Sequence, residues 1–176
     1  EFYKHKGVNY KRTIWAVLNY FLKLKNSFGA STITQQVVKN ISGDNETSIQ
    51  RKAKEIFRAY NLERYHSKDD IFELYLNVIP MSGNIYGVGA ASELYFGKHP
   101  SELSLAEAAT LIGITNAPTK YSPYNNPEAC MDKRNRVLYA MHDVGVISNE
   151  EYESAKATPL ELADNTDAYG ITPWFV

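Results

Sequence analysis

The sequence predicts a mainly α-helical domain, and three observations support that prediction. A Ser or Thr stands three residues before a Glu, Gln or Asp at several points along the chain, which is the pattern of a capped helix start. Apolar residues recur at helical spacing in the segments that follow these starts. The chain contains no alternating pattern of useful strand length and no internal repeat.

Six helices are predicted in order along the chain. The first is the dense apolar run 14–24, which ends in lysines and suits either a core helix or a helix at a membrane interface. A capping box at 32–35 opens the second helix, and capping-box spacing at 47–50 opens a third that runs to about Tyr65. The remaining predicted helices cover residues 67–78, residues 104–114 and a short stretch that starts at Ser148.

Loops and a final linker separate and follow these helices. Clusters of Pro, Gly, Ser and Asn mark loops at 80–84, 117–119 and 122–127. From about Thr158 the composition is again that of a loop, so we predict one domain over residues 1–160 and the start of a linker over residues 161–176. The chain also begins abruptly inside what reads as structured sequence, and we interpret it as a piece of a longer protein.

Length and composition place the chain among ordinary globular domains. Its 176 residues are enough to bury a core, and contents of 44% hydrophobic and 22% charged residues argue against disorder. A formal net charge of −1 supplies no field that attracts a nucleic acid, so we expect no DNA or RNA partner. The single cysteine, Cys130, excludes an internal disulfide framework and a cysteine-based zinc site, and we expect a buried thiol there.

Residues 29–40 (GASTITQQVVKN) are unusually polar for a helix. On a helical wheel, one side carries Ile33, Val37, Val38 and Ile41. The other side carries Thr32, Gln35, Gln36, Lys39 and Asn40. A capping box explains Thr32 and Gln35, and the pattern alone favours a solvated face for the rest, although a helix N-terminus led by glycine also suits an anion.

The next helix places charges of both signs close together at 51–55 (RKAKE). Its predicted apolar stripe comprises Ile49, Ala53, Ile56, Phe57 and Tyr60, and the opposite side carries Arg51, Glu55 and Arg58. One interpretation is a solvated face with ion pairs at i,i+3 and i,i+4. The other is a carboxylate among cations in a cleft for a phosphorylated substrate. The pattern alone favours the solvated face.

Residues 29–40 resemble the signature motif of the peptidoglycan glycosyltransferases, glycosyltransferase family 51. These are the polymerising domains of bifunctional penicillin-binding proteins and of their monofunctional relatives. The similarity continues through residues 2–7 (FYKHKG), 51–55 (RKAKE), 71–77 (IFELYLN), 87–98 (GVGAASELYFGK), 105–109 (LAEAA) and 117–123 (APTKYSP). It therefore covers nearly the whole chain, in order.

The resemblance implies a mainly α, lysozyme-like helical domain with a small membrane-proximal jaw subdomain. It also implies a reaction, in which lipid II is polymerised into β-1,4 glycan strands and undecaprenyl pyrophosphate is released. Because the donor bond is α and the product bond is β, this displacement inverts. The implied partners are lipid II, the growing glycan chain, the outer leaflet of the cytoplasmic membrane and a cell-wall synthesis complex. The expected membrane anchor is a helix upstream of this chain.

The family motifs imply roles for particular side chains. The residues expected to bind the donor sugar and pyrophosphate are Ser31, Thr32, Gln36, Lys39 and Asn40. Departing pyrophosphate gathers negative charge, which positioned cations and hydrogen-bond donors must stabilise, and a divalent Mg or Mn ion is an expected helper. No organic cofactor is implied.

Two further motifs complete the expected site. Residues 2–7 resemble the end of the family's first motif and residues 51–55 resemble its third, the signature motif at 29–40 being the second. Arg51 and Lys52 are expected to face the phosphates, and Glu55 is the second essential carboxylate, which orients these cations or holds a metal. Phe2 and His5 are expected to fix the loop of the general base, which a sugar hydroxyl needs in order to attack. In the family that base is a Glu four positions before the motif phenylalanine. This position lies upstream of the first residue given. We expect no activity if the protein begins at Glu1, and an active enzyme if the upstream residues exist.

Two departures from the family pattern and one membrane prediction concern the first helices. Ala30 replaces the usual second glycine of the signature motif. Many members have an arginine where Trp15 stands, and Arg12 is its expected substitute here.

The resemblance implies that the run 14–24 corresponds to the mobile jaw over which lipid-linked substrate enters. The residues that fit an interfacial position are Trp15, Tyr20, Lys23 and Lys25, although burial in a core explains the apolar residues equally well.

Two rival functions stay open from the sequence. A lytic enzyme on the same lysozyme-like scaffold needs an acid near the scissile bond, but it does not need the pyrophosphate-binding wall of Lys39, Arg51 and Lys52. A catalytically inactive helical module could instead only bind lipid II or a partner protein.

Overall fold

The computed structural model describes residues 2–21, 29, 31–43, 46 and 48–164, without the side chains of residues 16–21. These residues form eight α-helices, two short 3-10 helices and one antiparallel pair of strands. The mainly α class that the sequence predicts is therefore confirmed. The chain divides into two compact units, Glu1–Ile79 and Pro80–Val176.

The first unit contains four α-helices behind a 3-10 turn at Phe2–Lys4. The helices are α1 (Tyr10–Phe21), α2 (Ile33–Ser42), α3 (Ile49–Tyr65) and α4 (Lys68–Val78). Thr32 and Ser67 cap α2 and α4 as predicted, each in a complete capping box. The cap of α3 is Ser48, whose side chain accepts from the backbone N–H of Arg51, so this helix begins one residue later than the spacing at 47–50 suggests. Thr47 lies outside the described residues.

Helix α3 buries part of its charged side and exposes part of its predicted apolar stripe. Ile49 is 83% exposed and Phe57 is 66% exposed, whereas Glu55 is buried and Ala59 has no exposed surface. The reason is a close approach: a Cβ on Gly7 would lie 2.7 Å from the carbonyl oxygen of Ala59. Glycine at position 7 therefore lets the N-terminal turn lie against the backbone of α3 at Ala59, on the side of the helix that also carries Glu55.

Helix α2 also buries part of its polar side. Val37 is fully buried, as the wheel predicts, but Thr34 and Gln35 are equally buried and Ile41 is 61% exposed. Gln35, which the capping box explains, forms that box as predicted and also bonds to α3. Buried polar groups need hydrogen-bond partners, and the partners found here build the site described below.

Helix α1 carries the start of the apolar run 14–24. Ile14 is 60% exposed and Trp15 is 62% exposed, so burial in a core does not explain these two residues. The side chain of Tyr20 and the whole of Lys23 and Lys25 lie outside the described residues. In the described part of the chain, none of the helices has both the length and the hydropathy of a membrane-spanning segment.

The second unit contains the strand pair and four further helices. Their bounds are β1 (Pro80–Ser82), β2 (Ile85–Tyr86), α5 (Val88–Phe96), α6 (Leu105–Ile114), α7 (Pro127–Asp143) and α8 (Asn149–Ala157), with a 3-10 turn at Pro100–Glu102. Ser104 and Ser148 cap α6 and α8 as predicted. The segment predicted as a loop at 80–84 instead forms most of a hairpin, and the sequence analysis assigned no helix to α5 or α7. Neither of those two starts has a side-chain cap hydrogen bond, so the capping signal that predicted every other helix except α1 is absent.

The core of the second unit lies where α6, α7 and α8 meet. Small residues let the helices approach, and the buried cluster consists of Ala106, Ala109, Leu138 and Ala155. Arg134 on α7 is also buried, and its guanidinium donates to the carbonyl oxygens of Thr158 and Lys156, at 2.8 and 3.1 Å. A cation at the carbonyl end of α8 complements that helix terminus. Cys130 is buried as expected, and burial raises the pKa of its thiol to about 11.

Candidate functional site

Glu55 lies at the centre of a buried charge cluster on α3. Its side chain is only 5% exposed, and both of its oxygens have cationic partners. Arg51 Nη1 donates to Glu55 Oε2 at 2.7 Å, and Lys52 Nζ donates to Oε1. The i,i+4 and i,i+3 pairing that the sequence predicts is confirmed, but these pairs are not on a solvated face. Two cations against one carboxylate leave the cluster with one positive charge in excess.

Gln35 ties the first turn of α2 to this cluster. Its Nε2 donates to Glu55 Oε1 at 3.2 Å, while its Oε1 accepts from the backbone N–H of Thr32 at 3.0 Å. The side chain therefore closes the capping box and also fixes the carboxylate. The sequence did not predict the bond from Gln35 to Glu55, because the capping box alone accounts for a glutamine at this position.

The side chain of Lys52 extends from the cluster to solvent. Besides Glu55, its Nζ donates to the hydroxyl of Ser31 at 2.8 Å, and the lysine side chain is 34% exposed. Ser31 lies directly before the capped N-terminus of α2, where the first backbone N–H groups and the positive end of the helix dipole are found. An accessible cation, a hydroxyl and a helix N-terminus at one place form a suitable environment for an anion.

A cavity of about 170 Å³ adjoins this position. Among the residues that line it are Phe2, His5, Arg12, Ser31, Thr32 and Gln36. Five of these six are site residues expected from the resemblance, so the structure brings the first and second motifs together around one hollow. The sixth, Arg12, is the expected substitute for the family arginine, and its Nη2 donates to the carbonyl oxygen of Gly29 at 2.9 Å.

The remaining residues of the second motif occupy different environments. Thr32 is buried, and its Oγ1 donates to the carbonyl oxygen of Gly7 at 2.6 Å while accepting from the N–H of Gln35. These bonds give Thr32 a structural role at the edge of the cavity. Lys39 is exposed and Asn40 is half-buried, one turn farther along α2. Their expected contacts with sugar and pyrophosphate stay predictions.

Phe2 and His5 are held against the start of α4. Lys68 Nζ lies 4.5 Å above the centre of the Phe2 ring, which is the geometry of a cation–π contact. The Phe2 and His5 rings pack edge to face, with centroids 6.1 Å apart. His5 Nδ1 is 3.9 Å from Oε1 of Glu63, a second buried carboxylate on α3 that the sequence analysis did not single out.

The described residues do not bring together the ligands of a resident divalent metal. Among them, no group of three or more His, Cys, Asp or Glu side chains is close enough to hold an ion. Glu55, the carboxylate expected to hold one, already has Arg51, Lys52 and Gln35 on its oxygens. Mg²⁺ prefers several oxygen ligands, and two neighbouring cations would repel it. Glu55 and the side chains around it therefore do not supply the ligands that a resident Mg or Mn ion needs.

Comparisons with known proteins agree on one family. A family model described as Transglycosylase matches residues 1–142. Penicillin-binding protein 1A of Clostridium perfringens strain 13 is 45% identical over 164 residues, which cover 88% of this chain and 24% of that protein. Penicillin-binding protein 1A of Aquifex aeolicus is 42% identical over 175 residues, which cover 99% of this chain and 24% of that protein.

A solved structure agrees with the relatives. The crystal structure of penicillin-binding protein 1A from Haemophilus influenzae superposes with a TM-score of 0.53 at 31% sequence identity, over 75% of this chain and 17% of that one. Penicillin-binding protein 1F of Bacillus subtilis is 39% identical over 174 residues. The chain spans about a quarter of the length of these curated relatives.

Proposed function

The chain belongs to the transglycosylase family, and from that premise we propose that it polymerises lipid II into the β-1,4 glycan strands of peptidoglycan. The observation that carries the proposal is the Glu55 cluster, whose excess positive charge reaches solvent through Lys52 beside Ser31. A site for a sugar linked to a diphosphate needs both an anion-binding end and a polar pocket. The cluster and the adjoining cavity supply these two parts.

The leaving group explains why the cluster is cationic. When the bond between the donor sugar and its phosphate breaks, undecaprenyl pyrophosphate departs and negative charge accumulates on the phosphate oxygen that was bonded to the sugar. Lys52 and Arg51 stabilise that charge, and the N-terminus of α2 adds its dipole. Glu55 keeps both cations in place before the substrate arrives, so that they need no reorganisation during the reaction. Preorganised charge of this kind is among the largest contributions to catalysis.

The donor sugar occupies the cavity in this proposal. Ser31, Thr32 and Gln36 line it with hydroxyl and amide groups that suit sugar hydroxyls. Lys39 and Asn40 extend the same helix and contact the donor beyond the cavity. An inverting displacement also needs a general base for the acceptor hydroxyl. From the resemblance we expect that base four positions before Phe2, which lines the cavity together with His5.

The substrate lipid requires the site to work at a membrane surface. The exposed side chains of Ile14 and Trp15 on α1 fit contact with the outer leaflet. A Mg or Mn ion, which this cluster does not fit as a resident ion, would enter with the oxygens of the substrate diphosphate. No step of the proposed reaction depends on it.

A comparison of two substrates tests the proposal. A chain extended upstream to include the family's glutamate is incubated separately with labelled lipid II and with finished peptidoglycan. We expect glycan polymer from lipid II and no cleavage of peptidoglycan. Products from peptidoglycan alone would support the lytic function instead. Binding of lipid II without any polymer from the extended chain would support the inactive binding module.

A further inference from the structure

Glu63 joins three separate elements of the first unit at one carboxylate. It lies on α3, and its side chain is 6% exposed. Its Oε1 accepts from Thr34 Oγ1 on α2 and from Lys68 Nζ on α4, each at 2.6 Å. The same oxygen is 3.9 Å from His5 Nδ1 in the N-terminal turn. One buried carboxylate therefore links the three segments that surround the site.

Glu63 and Glu55 hold the same turn of α2 at two points. The neighbouring residues Thr34 and Gln35 donate to Glu63 and Glu55 respectively, at 2.6 and 3.2 Å. Both carboxylates belong to α3 and are rigidly related through its backbone. A helix end held at one point can still rotate about that point, whereas two contacts on adjacent residues restrict both rotation and translation. The position of Ser31 relative to Lys52 follows from this pair of contacts.

Glu63 also affects the side of the cavity that Phe2 and His5 form. Lys68, its partner on α4, lies over the Phe2 ring, and Phe2 packs against His5. Phe2 and His5 line the cavity with Gln36. The charge on Glu63 thus attracts Lys68, which supports Phe2 on one side of the cavity. Its bond to Thr34 fixes α2, which supplies the opposite side.

We propose that Glu63 is a positioning residue for the transferase reaction, an inference that rests on the proposed function. It touches no substrate atom. It acts through Thr34, Lys68 and His5 to set the distance between the N-terminal turn, where the resemblance places the base, and the α2–α3 cluster. A small misplacement of groups that must meet in the transition state lowers kcat strongly and leaves substrate affinity nearly unchanged.

Two variants test the role in the extended chain, with lipid II as substrate. Glu63→Gln keeps an acceptor for Thr34 but loses the charge that attracts Lys68, and Thr34→Val removes only the α2 bond. We expect kcat to fall by about tenfold or more for Glu63→Gln and by a smaller factor for Thr34→Val, with KM within about threefold of wild type. Because Glu63→Gln keeps the bond to Thr34, the double variant should fall below Glu63→Gln by about the factor that Thr34→Val shows alone.

A control and a thermal measurement separate positioning from unfolding. Glu153→Gln makes the same chemical change on an exposed part of α8 and should leave both constants unchanged. All variants are assayed well below their melting temperatures, so that a loss of kcat cannot come from loss of folded protein. A kcat within twofold of wild type for both Glu63→Gln and Thr34→Val would overturn the role, as would a change confined to KM. If the extended wild type makes no polymer, it is the proposed function that fails.

Discussion

Gln35 and Glu55 are hydrogen-bonded side chain to side chain between α2 and α3, with Gln35 Nε2 3.2 Å from Glu55 Oε1. The same glutamine closes the capping box of α2 through Thr32. Because one side chain serves both purposes, the start of the helix and the position of the buried carboxylate are set together. The polar flanks of the two helices therefore face each other, and Lys52 extends their contact to solvent.

Glu55→Gln should abolish polymerisation without unfolding the chain. The amide can still accept hydrogen bonds, but it leaves Arg51 and Lys52 without their counter-charge and so misplaces the two cations. We expect turnover of lipid II by the extended chain to drop by about a hundredfold or more. Circular dichroism should show the wild-type helix content. Near-normal turnover in this variant would contradict the assigned role.

Lys39→Ala should weaken binding of a phosphoglycolipid such as moenomycin, which serves as a stable analogue of the lipid-linked donor. Loss of one charge-assisted hydrogen bond to phosphate is expected to raise the dissociation constant by about tenfold or more. Lys54→Ala, an exposed lysine on α3, provides the control. Equal affinities of the Lys39→Ala variant and wild type would place Lys39 outside the binding site.

Gly7→Ala should destabilise the first unit far more than Gly43→Ala. Both glycines have a positive φ, 81° and 63°, which disfavours any side chain by about 1–2 kcal/mol. At Gly7 the new Cβ would also lie 2.7 Å from the carbonyl oxygen of Ala59, whereas nothing lies within 4 Å at Gly43. We expect a loss of roughly 3 kcal/mol or more at Gly7 in denaturant unfolding. Equal losses at the two positions would show that the approach of α3 to this turn is not tight.

The contribution of Glu107 to stability should depend on pH. Burial opposes ionisation of Glu107, but hydrogen bonds from Lys98 Nζ and the Ser104 N–H outweigh it and lower the pKa below the ordinary 4.5. Because the pKa is lower in the folded state, the stabilisation is present above the unfolded value and is lost as the pH falls through the folded value. Wild type should exceed Glu107→Gln by about 1 kcal/mol near neutral pH, with the difference vanishing in acid. A difference that does not change with pH would contradict this origin.

The helix starts could be predicted from sequence because each depends on contacts within four residues. Thr32, Ser67, Ser104 and Ser148 all form the capping boxes that their spacing predicts. Helices α5 and α7 lack such a cap, so the same signal could not reveal them. Their positions depend on packing, which local spacing does not record.

The inward face of α3 could not be predicted, because apolar periodicity does not show which side of a helix is covered. The i,i+4 pair Arg51–Glu55 is visible in the sequence, but its burial depends on the contact between Ala59 and Gly7, more than fifty residues apart. The family resemblance predicted that the residues around the cavity share one site, whereas the periodicity of apolar residues did not. Glu63 was overlooked because nothing in its immediate sequence indicates three partners on three other segments.

The binding of undecaprenyl pyrophosphate tests most directly whether the Glu55 cluster holds a lipid diphosphate. The dissociation constants of undecaprenyl pyrophosphate and undecaprenol are compared by titration in detergent, for wild type, Lys52→Met and Lys54→Met. We predict that wild type and Lys54→Met bind the pyrophosphate at least about tenfold more tightly than the alcohol, and that Lys52→Met loses this preference. Retention of the full preference by Lys52→Met, or no preference in wild type, would contradict the account.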